Sequence, residues 1–182
     1  LSKSQAETSL QELLAYESLH SGRELHGDAR FKLHLLMPWA WDLVHHPVIL
    51  QLVRDALNTN DIWCWSSDVN TKEPRSATFF SWHQDSTYAG ISPLNAAVTV
   101  WLALTSSTVE SGCLACIPNS HRQQLKHETN RTSSENALSM RQEVVEWPTD
   151  MTPSSAKFLE LEPGEASIHY FGTVHQSRPN SS

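Results

Sequence analysis

His83-Gln84-Asp85 sets an imidazole and a carboxylate two residues apart. In extended backbone, side chains at i and i+2 leave the same face, so the two would converge on one point while Gln84 turns away. Imidazole plus carboxylate, without thiolate, suits a borderline first-row metal ion. A third ligand must then arrive from another segment. His175, just past an apolar run and followed by a turn, is the best placed, and His169, six residues before it, is its rival. Two histidines and a carboxylate on one face of an octahedron leave adjacent positions open for iron(II) chemistry, and the same ligand types also serve catalytic zinc with one bound water. A plainer reading stands beside both. With 10 histidines in the chain, one His-x-Asp is a modest coincidence, and a lone histidine is more often a hydrogen-bonded core or surface residue. His20, His26 and His34 have no carboxylate at strand spacing, His45 and His46 precede a helix, and His121 and His127 sit in polar sequence; all are read as structural or solvated.

The elements that must position these groups change character along the chain. Gln5 to Leu19 has a weak helical spacing of Leu10, Leu13, Leu14 and Ala15, with acidic residues early. Pro47 begins a second helix whose apolar stripe (Val48, Leu50, Leu52, Val53, Ala56, Leu57) ends at Asn58-Thr59-Asn60. Short runs rich in Trp, Thr, Val, Phe and Ile follow, broken by turn residues, as in an all-β sandwich or barrel. Strands are expected over Ile62–Ser66, Thr78–His83, Ala97–Leu104, Gly112–Ile117, Phe158–Leu161 and Ala166–Phe171. The polar stretch from His127 to Pro153 reads as a long insert of the kind that forms lids.

Bulk properties bound the rest. A chain of 182 residues favours one domain, here a helical flank over 1–60 and a β core over 61–182. Mean hydropathy is −0.40, and no apolar run approaches the roughly 18 residues that span a bilayer, so no membrane partner is expected. A net charge of −7 without a basic stripe would repel phosphate backbones, which disfavours nucleic acid. Cys64, Cys113 and Cys116 make no disulfide framework, and the lone Cys-x-x-Cys lacks a second pair for zinc; reduced thiols in an intracellular, cytoplasmic setting are expected. Leu1 in place of Met, and a stop just after Arg178-Pro179-Asn180, read as cut termini that would leave the β core short of its last strands and any targeting peptide out of view.

Several segments, in this order, resemble the phytanoyl-CoA dioxygenase family of iron(II)/2-oxoglutarate oxygenases. They are Ser81-Trp82-His83-Gln84-Asp85, Thr99-Val100-Trp101-Leu102-Ala103-Leu104, Glu110-Ser111-Gly112-Cys113-Leu114 and Ile117-Pro118-Asn119-Ser120-His121-Arg122. Leu161-Glu162-Pro163-Gly164-Glu165, followed by His175-Gln176-Ser177, is similar to the closing motif of that family. The resemblance spans roughly residues 45 to 182 and is far more specific than His-x-Asp alone. It implies a double-stranded β-helix, a mainly β jelly roll with flanking N-terminal helices.

The resemblance further implies that His83, Asp85 and His175 are the iron ligands, which selects His175 over His169. Ser177 matches a hydroxyl that helps bind the far carboxylate of 2-oxoglutarate, and Trp101 a residue beside that cosubstrate. Lys72 and Phe80 match positions close to the cosubstrate in some members, although Phe80 and Trp101 would serve equally as core and Lys72 as a solvated charge. The implied activity couples decarboxylation of 2-oxoglutarate by O2 to hydroxylation of a C–H bond, with ascorbate as a supporting reductant. The presence of Asp85 favours hydroxylation, since halogenating relatives carry a small residue there. One departure stands out: the family's carboxylate-binding arginine falls beyond Ser182. Substrates in the family are acyl-CoA, amino-acid-like or natural-product molecules, and the motifs choose none of them. A non-catalytic metal-binding jelly roll and a zinc hydrolase are the competing readings.

Overall fold

The computed structural model describes residues 1–20, 25 and 27–182; His26 lies outside them. The first helix, α1 (Lys3–Leu19), is started by Ser2, whose hydroxyl accepts from the Gln5 amide while the Gln5 side chain returns to the Ser2 amide. This reciprocal cap satisfies two donors that the first helical turn leaves open. Leu13 and Tyr16 on its inner face join Leu25, Leu33 and Ala40 in one apolar cluster, against which Trp39, Val69 and Leu104 pack. A second helix, α2 (Pro38–Val44), was not among the expected elements: its seven residues are too few for helical periodicity to show. The third, α3 (Pro47–Leu57), runs as expected, with Pro in its first turn and a stop at Asn58 in the left-handed conformation.

Eight short strands follow. They are β1 (Phe80–His83), β2 (Val98–Leu102), β3 (Leu114–Cys116), β4 (His127–Thr129), β5 (Gln142–Val144), β6 (Lys157–Leu159), β7 (Ala166–Tyr170) and β8 (His175–Ser177), with a one-turn helix, α4 (Ser86–Ala89), after β1. All ladders between them are antiparallel. β1-β8-β3-β6 form a four-stranded sheet, β2 pairs with β7, and β4 with β5. The first and last strands are therefore neighbours. A second apolar cluster, Ile117, Leu125, Val144, Met151 and Val174, closes one end of the sheets, with Trp82 and Trp147 edge to face at 5.9 Å beside it.

Two expectations change. The strand expected over Ile62–Ser66 is absent: the segment makes no ladder, and Trp63 is 83% exposed. Aromatic and β-branched residues favour extended backbone, but a strand also needs a neighbour with free hydrogen-bonding groups, and here the chain instead meets the N-terminal segment through Leu33 N–H to Ser67 O and Lys32 Nζ to Trp65 O. The His127–Pro153 insert is no open loop either. It folds into the β4–β5 hairpin, which meets β1 and the residue before it through Phe79 N–H to Glu135 O, Ala137 N–H to Phe79 O, and the Ser81 hydroxyl to Gln142 O on β5.

Gly112 fixes how closely β8 can approach. Its φ is +78°, and a Cβ there would lie 2.2 Å from the Arg178 carbonyl oxygen and 2.4 Å from Lys72 Nζ. Both the backbone conformation and the space admit only hydrogen at this position. Gly112→Ala is expected to cost at least about 2 kcal/mol, read as a lowered urea midpoint at unchanged slope.

Candidate metal centre

The β1–β8 ladder sets His83 directly opposite His175, with ring centroids 4.1 Å apart. His83 Nδ1 lies 2.7 Å from the Ser81 carbonyl oxygen and His175 Nδ1 lies 2.9 Å from that of Thr173. A carbonyl can only accept, so both Nδ1 atoms carry a proton, and in the neutral ring each Nε2 keeps its lone pair. Those lone-pair nitrogens lie 3.5 Å (His83) and 3.6 Å (His175) from Asp85 Oδ1. One donor atom from each residue falls within 4.8 Å of the other two. Bonds of about 2.1 Å meeting at right angles would separate donors by about 3 Å, about half an ångström less than the distance from each imidazole to Asp85 Oδ1.

Asp85 reaches this point by a different route from the one its spacing implies. β1 ends at His83, and Asp85 is already helical (φ −59°, ψ −31°) at the start of α4. The turn into α4, and not the alternation of a strand, carries the carboxylate inward. Thr99 Oγ1 on β2 donates to Asp85 Oδ2 at 2.6 Å, which leaves Oδ1 for the two imidazoles. Gln84 does turn away: fully buried, it donates to Gln123 O and Gly172 O and accepts from the Leu125 amide.

The electrostatics match these contacts. Burial resists ionisation of Asp85, but His175, His83 and the Thr99 hydroxyl together outweigh it and hold the carboxyl well below its ordinary range. Burial, with His83 alongside, pushes His175 down to about 3 against the pull of Asp85. At neutral pH the cluster offers a carboxylate and a neutral His175, the protonation state in which these side chains bind a divalent cation. Nδ1–H to carbonyl bonds on both imidazoles and a hydroxyl on the carboxylate are also the outer contacts that orient metal ligands. The donor set therefore fits an ion of the iron or zinc type.

His169 stands beside this cluster. Its side chain is 7% exposed, Nε2 is 4.0 Å from Asp85 Oδ2, and its ring centroid is 4.8 Å from that of His175, yet neither ring nitrogen has a hydrogen-bond partner among the described residues. The remaining expected site residues meet in the same cleft, of about 1640 Å³, that His83, Asp85 and His175 line. Lys72 Nζ donates to Ser177 Oγ at 2.6 Å, to Gly112 O at 2.9 Å and to Arg178 O, and Phe80 faces Ser177 across the β1–β8 ladder. Trp101 lies two residues beyond Thr99 on β2 and so shares its face. At this size the cleft exceeds the roughly 300–1,000 Å³ of a usual small-molecule site and has room for two ligands at once. Thr99 is the functional contact that spacing alone did not single out; its place two residues before Trp101 was the available signal. The Ser81 and Thr173 carbonyls leave no trace in side-chain identity.

The depressed His175 and Asp85 values make acid destabilising. His175 binds a proton less readily folded than at its ordinary value of 6.5, so below pH 6.5 the unfolded chain holds more protons and stability falls with pH. Asp85 adds to this with the same sign only below its ordinary 3.8. Lowering the pH of metal-free protein from 7 to 5 is expected to remove up to about 2 kcal/mol through His175, measured as a falling Tm, and His175→Asn is expected to flatten that fall.

The family model described as phytanoyl-CoA dioxygenase matches residues 9–182. A probable alpha-ketoglutarate-dependent hypophosphite dioxygenase from Stutzerimonas stutzeri is 29% identical over 152 residues, 82% of this chain and 50% of that protein. The phytanoyl-CoA dioxygenase domain-containing protein 1 of Mus musculus is 29% identical over 103 residues, 57% of this chain and 35% of its own length. The chain thus spans half or less of these two relatives. Among solved structures, the non-haem monooxygenase ThoJ in its apo form superposes with a TM-score of 0.81 at 29% identity, covering 100% of this chain and 66% of that one. The carbocyclase SnoK from nogalamycin biosynthesis, at 22% identity, a TM-score of 0.77 and coverage of 100% and 72%, shares the fold. With the family model matched from α1 through β8, the chain belongs to the phytanoyl-CoA dioxygenase family.

Proposed function

We propose that this chain is the catalytic core of an iron(II)- and 2-oxoglutarate-dependent dioxygenase that hydroxylates a C–H bond of a small-molecule or acyl substrate. The observation that carries the reading is the convergence of two imidazole lone pairs and one carboxylate oxygen on a single point in the cleft. In this reading the strand orders β1-β8-β3-β6 and β2-β7 belong to a jelly roll, with the metal between its two sheets.

When bound, iron would supply the coupling of 2-oxoglutarate decarboxylation by O2 to oxidation of the substrate. His83, Asp85 and His175 would hold it through Nε2, Oδ1 and Nε2. The Thr99 hydroxyl ties up Asp85 Oδ2, so the carboxylate would bind through one oxygen and leave neighbouring positions free. His83 and His175 are buried while Asp85 is 25% exposed, so the open side faces the cleft. Lys72 and Ser177 place an ammonium and a hydroxyl at one corner for the far carboxylate of 2-oxoglutarate, and Phe80 and Trp101 give that corner apolar walls. Lys72 supplies a positive charge at that corner. O2 and an ascorbate-type reductant complete the chemistry, and retention of Asp85 favours hydroxylation over halogenation.

Metal calorimetry and succinate release test the reading together. Asp85→Ala is expected to weaken iron(II) binding by about 100-fold or more, and Thr99→Val by about 10-fold. Lys72→Met is expected to raise the KM for 2-oxoglutarate by roughly 10- to 100-fold without changing metal affinity. Wild-type iron affinity in Asp85→Ala would overturn the ligand assignment; succinate release supported equally by zinc and iron would overturn the oxygenase.

A further inference from the structure

Arg30 is a cation on the wall of this cleft whose donors the fold scarcely uses. Its guanidinium carries five N–H donors. Among the described residues it meets one acceptor, the Ala137 carbonyl, at 3.2 Å from Nη2. The Asp68 carboxylate attracts it through space but accepts instead from Ser66 Oγ at 2.5 Å, and makes no ion pair with it. Burial makes the charge costly, yet a guanidinium does not escape that cost by losing its proton. A half-buried, always-charged group with spare donors is the feature of an anion site that awaits its ligand.

The guanidinium is also held in place. Its Cζ lies 4.8 Å from the Phe31 ring centroid and 5.7 Å from that of Phe80. Two aromatic neighbours and the Ala137 bond fix the plane of the fork, so little entropy remains to be lost when an oxyanion docks. Its position is close to the chemistry. Phe80 opens β1, the strand that ends at His83, and Tyr88, whose ring is 6.0 Å from that of His83, feels the Arg30 charge.

Arg30 and Lys72 serve different edges of β1. Lys72 sits on the β8 side, bonded to Ser177, whereas Arg30 sits on the side of the 135–138 segment that returns from the insert. One cation on each side of β1 matches a site for two anionic ligands. If Lys72 receives the cosubstrate, Arg30 remains for the substrate.

We propose that Arg30 anchors an anionic group, a carboxylate or phosphate, of the molecule to be oxidised, so that this protein acts on small acids in preference to their neutral counterparts. This rests on the oxygenase reading above. Overall charge points the same way: in a chain of net charge −7, an anion finds attraction only at local cations such as these.

The test uses the protein loaded with iron(II) and 2-oxoglutarate without oxygen, titrated by calorimetry with matched pairs: hexanoate and hexanamide, phenylacetate and phenylacetamide, hexyl phosphate and hexanol. Stimulation of succinate release by the same compounds in oxygen is the second readout. The acid of at least one pair is expected to bind about 10- to 100-fold more tightly than its neutral partner. Arg30→Met is expected to erase that preference, Arg30→Lys to restore part of it, and both to leave 2-oxoglutarate affinity and Tm near the wild-type values. No acid preference in the wild type, a preference that survives Arg30→Met, or an Arg30→Met defect in 2-oxoglutarate binding would each overturn the assignment. Failure of the oxygenase reading looks different: the wild type would then release no succinate under any condition.

Discussion

Two imidazoles and a carboxylate packed within 4.8 Å of one another, with their unprotonated atoms facing inward, are an arrangement that no isolated chain would keep. Burying a carboxylate is costly, and two nitrogen lone pairs pointed at it repel it unless a proton or a cation intervenes. The protein holds these groups by locking every other atom of the cluster. Both Nδ1 atoms are bound to carbonyls two residues back in the chain, and the second oxygen of Asp85 is bound to Thr99. What remains free is the set of donors a cation needs. The rest of the structure can be understood as the means of keeping that convergence.

The β1–β8 ladder is the first of those means, since it joins residues more than 90 positions apart in sequence and sets the histidines opposite each other. Its register depends on Gly112, where the approach of Arg178 leaves no room for a side chain. It depends also on Gln84, which binds the segments at Gln123, Leu125 and Gly172 at once. The residue between two candidate ligands is thus a buried brace, and its polarity is explained by three backbone partners and not by metal chemistry.

Much of this was legible in the sequence, for identifiable reasons. Pro47 and Asn58 bound α3 because each acts through its own backbone, which neighbours scarcely alter. The expected strands around Phe80, Val98, Leu114, Phe158 and Ala166 are present, most of them shorter than expected, since runs rich in β-branched and aromatic residues between turn residues favour paired extended backbone. Trp63 and Trp65 carry the same local signal and form no strand, because pairing depends on a partner that propensity does not name. β8, three residues long, is too short to announce itself, although it bears His175 and Ser177. The pairing of His83 with Asp85 was visible as spacing, but the geometry that unites them is the turn into α4.

The N-terminal segment bears on function more than its place outside the sheets implies. Packing of Tyr16 and Leu33 into one cluster with Leu25 and Ala40, and the bond from the Tyr16 hydroxyl to Ala29 O, fix the backbone that carries Arg30. The Val69 amide binds Arg30 O, so the same residue also aligns the extended chain that leads to Lys72. The sheets carry His83 and His175 at strand ends, where small shifts would break the convergence, and they tolerate little variation. A wall assembled from helices and an extended segment outside the ladders can change its side chains without disturbing those ladders. Division of labour follows from that difference in constraint: the sheets hold His83 and His175 in place, and the N-terminal segment supplies a wall of the cleft beside them, Arg30 included.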